Sequence, residues 1–255
     1  MVFISSTMLR GVSALAGLFF FWVFASAARA GCAGSVYLTI DTGSMSQADN
    51  IVAILNKYQV KATFFLSNEK TVRGDYSLDP SWSDYWRARA KEGHAFGSHT
   101  WRHWYFQRDM KDEKIFYRAM DGSDHVQLSR QDFCAELKHP GDVFEKMTGR
   151  KLDALWRAPG GRPTAYAREW GAGCGFVRHV RWSDAGFLGD ELPSEEFPND
   201  MLLKRAVAKI KDGDILVMHL GIWSRKDPFA PMLDPLIAGL KRRGLCFETL
   251  ASKSE

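Results

Sequence analysis

From Val36 onward, short runs rich in β-branched and aromatic residues alternate with longer runs whose apolar residues recur at helical spacing. Val36–Asp41, Lys61–Leu66, His94–Ser98, Ala154–Arg157, Phe176–Trp182, Asp214–His219 and Leu245–Leu250 read as strands. Helical patterns fill the gaps: one opened by Ser46 with Asp49 as a capping signature, then Trp82–Glu92, then one from Ser129 with Asp132 to Gly149. Pro163–Gly171, a helix capped by Asn199, and Pro231–Arg242 follow. This order predicts an α/β fold in which helices wrap a parallel sheet. About seven strands favour a barrel, closed or incomplete, in a single domain over an open doubly wound sheet. Thr100–Leu128 is aromatic and charged without a clear period, and reads as an insertion over one face.

The N-terminus carries a different message. Arg10 precedes an uncharged apolar run, and Ala28-Arg29-Ala30 supplies an A-x-A site just before Gly31. This layout predicts a secretory signal peptide over residues 1–30, cleaved after Ala30, with residues 31–255 as the mature domain. Cleavage would leave no membrane span in the mature form; an uncleaved anchor is the alternative, since the run is about long enough to cross a bilayer. Cys32 follows in a position that hints at lipid attachment, but Arg29 stands where that signal wants an apolar residue. Export places the domain in the periplasm or outside the cell, where disulfides persist. The four cysteines allow three pairings. Cys32 lies before the first strand and Cys246 in the last, which favours Cys32–Cys246 and Cys134–Cys174. No C-x-x-C occurs, and the mild formal charge of +4 comes without a dense basic stretch, so nucleic acid is not an expected partner.

Chemistry collects at the strand ends. The first strand ends on Asp41, the third runs into His99 and then His103, and the fourth ends on Arg157 within Trp156-Arg157-Ala158-Pro159-Gly160-Gly161. The fifth leads through Trp182 to Asp184, and the last but one ends on His219. Each residue alone has an ordinary explanation as a turn residue, a loop residue or a satisfied core group. In a parallel barrel, however, these ends share one face, and that face carries the active site. If Thr100–His103 coils into a helical turn, His99 and His103 face the same way and can grip a metal. The set suits amide or ester hydrolysis: a metal polarises a carbonyl, a carboxylate takes a proton from water, and a histidine gives one to the leaving nitrogen. No G-x-S-x-G elbow is present, which argues against a serine hydrolase.

The order TIDTG, HTWRH, RAPGG, WSDAG and LVMH resembles the motif series of the NodB-like polysaccharide deacetylases, carbohydrate esterase family four. The match runs from about Val36 to Leu250, and KATFFLSNE is similar to that family's second strand. The resemblance implies a distorted (β/α) barrel and a hydrolase that acts on carbon–nitrogen bonds other than peptide bonds. Its substrates would be N-acetylated sugars in a cell-envelope or extracellular polysaccharide, peptidoglycan or chitin-like. It implies Asp41 as base, His219 as general acid, Arg157 as the arginine that orients the base, and Asp184 as the aspartate that tunes the acid, with Asp190 a rival. His99 and His103 match the metal-binding histidines, for zinc or cobalt. Trp101 and Trp182 are expected to bind substrate. Three departures stand out. The family's first motif has two aspartates, base then ligand, and here Thr42 takes the ligand position, a neutral hydroxyl in place of a charge. The fourth motif lacks its aspartate–tryptophan ending, and Leu220 follows His219 where an aspartate is common. The Thr42 departure leaves a second reading open, a glycan-binding protein on the same scaffold with weakened or lost catalysis.

Overall fold

The first strand, β1 (Gly34–Asp41), organises the fold because its two faces are both buried. Val36, Leu38 and Ile40 point outward into the layer beneath the helices, while Tyr37, Thr39 and Asp41 alternate inward. A strand covered on both sides reads as a near-continuous apolar run, which explains why its polar inward positions stand out. The computed structural model describes residues 1–2 and 31–253. The expected signal segment and its cleavage after Ala30 lie outside the described residues, apart from Met1 and Val2.

The chain continues through α1 (Ala48–Tyr58), β2 (Thr63–Leu66), α2 (Ser83–Lys91) and β3 (Ala95–Ser98). An excursion of β4 (Tyr105–Asp109), β5 (Ile115–Arg118) and β6 (His125–Leu128) leads to α3 (Arg130–Thr148). Then come β7 (Leu155–Trp156), α4 (Ala165–Gly173), β8 (Arg178–His179), α5 (Asn199–Lys209), β9 (Ile215–His219), α6 (Leu233–Arg242) and β10 (Leu245–Phe247). Parallel pairing runs β1–β2–β3–β7–β8, with β9 on β1 along Tyr37–Asp41 and β10 at its start. A single bridge between Phe187 and Val217 brings the far edge round to β9, so the sheet curls almost into a barrel. Thus the expected seven-stranded parallel sheet is present, in one unit from Cys32 to Glu255. Among the described residues no helix is long and apolar enough to cross a membrane.

Three local expectations change. The insertion is an antiparallel sheet, β4–β5–β6, with Ile115 and Tyr117 buried beneath it. Ser46 does not cap α1: the cap position is Gln47, without a side-chain hydrogen bond, and Ser46 Oγ accepts from Ser44 Oγ instead. Asn199 likewise lies inside α5, donating to Asp227 and to the Pro228 carbonyl. By contrast, Ser129 and Asp132 form the full reciprocal capping box on α3. Both expected disulfides form, Cys32–Cys246 and Cys134–Cys174. The Cys32 sulfur is therefore engaged and not free to take a lipid.

Candidate active site

At the carboxyl ends of the strands, Asp41 and His219 stand side by side as register partners on β1 and β9. Asp41 is buried, and Arg157 Nη1 donates to its Oδ1 at 2.7 Å. The guanidinium is itself fully buried, fixed by Nη2 to Thr39 Oγ1 at 2.8 Å and Nε to the Val180 carbonyl at 3.2 Å, over the Phe65 ring. Burial alone would raise the Asp41 pKa, but Arg157 and the neighbouring imidazoles outweigh it and hold the carboxyl below its ordinary value. His219 shows the opposite balance. Burial disfavours its charge, yet Asp190, Asp41 and Glu191 outweigh that and push it up to about 10. Asp190 receives the His219 backbone N–H at 2.7 Å and faces the ring Nδ1 at 3.2 Å, while Glu191 lies 3.8 Å from Nε2.

Asp184 does not take this part. It is exposed in the 3₁₀ turn Asp184–Gly186, and the partner of His219 is Asp190, six residues further along. The turn between them carries the chain back to β9, and only the residue beyond it comes under the histidine.

His99 and His103 meet, although not through a helical turn. Thr100 and His103 both have positive φ, 66° and 56°, which folds the loop back so that the two Nε2 atoms sit 3.1 Å apart. For a β-branched residue this backbone is uncommon and must be held by its surroundings. Glu136 from α3 holds it, accepting the Trp101 and Arg102 backbone N–H groups at 3.1 and 3.0 Å. Tyr117 on β5 donates to Thr100 Oγ1 at 3.0 Å.

The proton positions on the two rings follow from their partners. His99 Nδ1 faces the Arg157 carbonyl at 2.8 Å, which can only accept, so Nδ1 carries the proton and Nε2 a lone pair. Burial lowers the His99 pKa to about 4, keeping the ring neutral. His103 Nδ1 faces the Glu69 carboxylate at 3.2 Å, which can only accept, so Nδ1 carries a proton and Nε2 is the nitrogen turned toward His99. Asp41 Oδ2 lies 3.4 Å from the same His99 Nε2. Asp41 Oδ2, His99 Nε2 and His103 Nε2 thus converge on one point, where a cation, or a proton on His103 Nε2, can bridge them. The 3.1 Å spacing of the nitrogens also suits two ligands at about 2.0–2.1 Å from one tetrahedral zinc. Among the described residues no group of three or more His, Cys, Asp or Glu side chains could hold a metal ion, and His99 and His103 stand together as a pair of imidazoles.

Thr42 is buried, and its hydroxyl bonds to neither imidazole. Its hydroxyl donates to Glu69 Oε2 at 2.5 Å and accepts the Ser67 N–H at 3.2 Å. Gly43 donates its N–H to the same Glu69 oxygen at 2.7 Å. Its φ of 87° and the Gly221 carbonyl, 2.4 Å from where a Cβ would stand, make glycine necessary there.

Of the two tryptophans, Trp182 lines a cleft of about 800 Å³ with Tyr105, Gln107, Gly160, Arg162 and Glu191. Trp101 does not: it stacks on His139 at 3.8 Å and borders a separate depression beside Arg102 and Glu136. A family profile described as polysaccharide deacetylase matches residues 28–178. The chain belongs to this family. Among its members, a peptidoglycan-N-acetylglucosamine deacetylase of Bacillus cereus is 25% identical over 217 residues, covering 85% of this chain and 86% of the relative. The deacetylase fold is also seen in a family 4 carbohydrate esterase from Streptomyces lividans solved with acetate, at TM-score 0.62 and 19% identity over 86% of this chain and 94% of that one. A CE4 family pseudoenzyme from Bacillus anthracis superposes equally well, TM-score 0.62 at 21% identity, over 86% of this chain and 64% of that one.

Sequence reasoning names Asp41, His99, His103, Arg157 and His219, and the structure brings all five together. It misses Glu69, Glu191 and Glu136. Glu69 sits in KATFFLSNE, where the only signal is a carboxylate three residues past a strand end.

Proposed function

We propose that the protein is an exported, metal-dependent N-deacetylase acting on acetylated amino sugars of a cell-envelope or extracellular polysaccharide. The observation that carries this reading is the placing of two oppositely partnered groups on adjacent strands, Asp41 against the Arg157 guanidinium and His219 against the Asp190 carboxylate, which favours an ionised carboxyl beside a protonated imidazole. Two titratable groups pushed apart in this way supply a base and an acid at one pH. Asp41 takes a proton from water as its oxygen adds to the acetyl carbonyl. His219 returns a proton to the nitrogen as the carbon–nitrogen bond breaks, giving acetate and a free amine. His99 and His103 would hold a divalent cation, zinc or cobalt, which supplies Lewis acidity toward the carbonyl and the attacking water. Trp182 and Tyr105 in the cleft offer faces on which sugar rings stack. The disulfides support an oxidising destination and so export.

The test is acetate release from N-acetylglucosamine oligomers and from peptidoglycan, before chelation, after it, and on return of zinc or cobalt. Release that depends on metal, and falls about 10²–10⁴-fold in Asp41→Asn, is the expected outcome. The missing aspartate at Thr42 favours a second reading, a glycan-binding protein without turnover, and the relatedness of this fold to a pseudoenzyme supports it. Glycan binding with no acetate from any substrate would decide for that reading.

A further inference from the structure

We propose that Glu69 replaces the carboxylate that the family places at the position of Thr42, acting as a positioning residue that orients His103 toward a bound divalent cation. This rests on the metal-site reading above, and concerns how this chain sustains that site without its usual aspartate.

The geometry is specific. Both Oε2 contacts of Glu69 come from the first motif itself, the Thr42 hydroxyl at 2.5 Å and the Gly43 N–H at 2.7 Å. The other oxygen reaches the second histidine, 3.2 Å from His103 Nδ1. The carboxylate therefore spans the residue that has lost its charge and the ring that needs orienting. Its backbone is pinned on both sides, Glu69 N–H to Ser77 Oγ at 3.0 Å and Ser77 N–H to the Glu69 carbonyl at 2.8 Å. A carboxylate accepting the non-ligating N–H of a metal histidine fixes the tautomer and strengthens the ligand. His99 obtains the same service from the Arg157 carbonyl. Thr42 then has a role of its own: as donor, it holds Glu69 in place. An aspartate at residue 42 would set a second carboxylate against Glu69, so the two positions exclude one another and the site keeps a single compensating charge.

The test is zinc affinity of the chelator-stripped full chain, read by competition against a chromophoric chelator, with melting temperature measured on the metal-free protein. Wild type binds zinc, and Glu69→Gln binds it about 10–100-fold more weakly. Thr42→Asp alone gains nothing, whereas Thr42→Asp combined with Glu69→Gln recovers most of the lost affinity. That recovery shows that the site's carboxylate can stand at either position, which a purely structural role for Glu69 would not allow. Equal affinity in wild type and Glu69→Gln overturns the proposal, as does a double variant no better than Glu69→Gln, or a wild type that takes up no zinc. Should Glu69→Gln fail to fold, the imidazole nitrogen shifts of His103 in metal-free wild type at mildly alkaline pH decide: a proton on Nδ1 supports the proposal and a proton on Nε2 overturns it. Acetate release is measured separately, so zinc binding that depends on Glu69 without deacetylation would leave this inference standing and remove the enzymatic reading.

Discussion

A single charged hydrogen bond sets the character of each working group. The Arg157–Asp41 pair is fully buried, and breaking such a pair leaves an uncompensated charge rather than a neutral gap. The His219–Asp190 pair acts in the opposite sense, favouring the protonated imidazole. A general acid works only while it holds its proton, so activity should persist well above neutral pH and fall as pH rises through about 10. Asp190→Asn removes the nearest of the carboxylates that raise His219, and the alkaline limb of the kcat/KM profile should move to lower pH. Asp184→Asn, at an exposed turn, should leave that limb where it is. Thr42 illustrates how far a residue can be read from its type alone. A hydroxyl at a ligand position looks like a loss, but once its proton is seen to point at Glu69 it becomes part of the support for another carboxylate.

At the scale of elements, the strand ends were legible because a buried parallel strand leaves its few polar residues conspicuous. Tyr37, Thr39 and Asp41 alternate inward along β1, and His219 ends β9 in the same way. The antiparallel sheet of β4, β5 and β6 was not legible, since Ile115, Phe116 and Tyr117 are apolar in succession and hide the strand's period of two. Glu136 was invisible for another reason: its partners, Trp101, Arg102 and Tyr117, are brought to it by tertiary folding alone. Because it holds the positive-φ loop between the two histidines, Glu136→Ala should cost about 1–3 kcal/mol in denaturant unfolding. It should also weaken zinc binding, since the loop relaxes without its acceptor. His94, just before β3, makes a pH prediction. It is buried, accepts the Ala62 N–H at 3.0 Å, and burial lowers its pKa to about 4. The unfolded chain therefore binds the proton first as pH falls, so this stabilisation is complete above about 6.5 and is lost between about 6.5 and 4. His179, lowered to about 3, adds a loss of the same sign. Urea midpoints should drop over this window, and His94→Gln should flatten the decline.

For the whole molecule, two covalent links close loops of very different length, with sequence separations of 214 and 40 residues. Loop-closure entropy grows only with the logarithm of length, so replacing the Cys32–Cys246 pair by serines should cost about 1.5 kcal/mol more than replacing Cys134–Cys174. Each replacement alone should cost about 2–5 kcal/mol, measured by urea unfolding of each double variant. The Cys32–Cys246 link also has a location. It joins the start of β1 to β10, and close by, the Leu250 N–H bonds Thr63 Oγ1 at the first residue of β2. Asp41 and His219 lie at the opposite pole of those same strands. Cys32 and the segment from Leu250 to Lys253 therefore lie on the side away from the cleft. A bead, a surface or a fused partner attached at residue 32 or beyond residue 250 would leave the mouth facing outward, open to a polymer far larger than the protein.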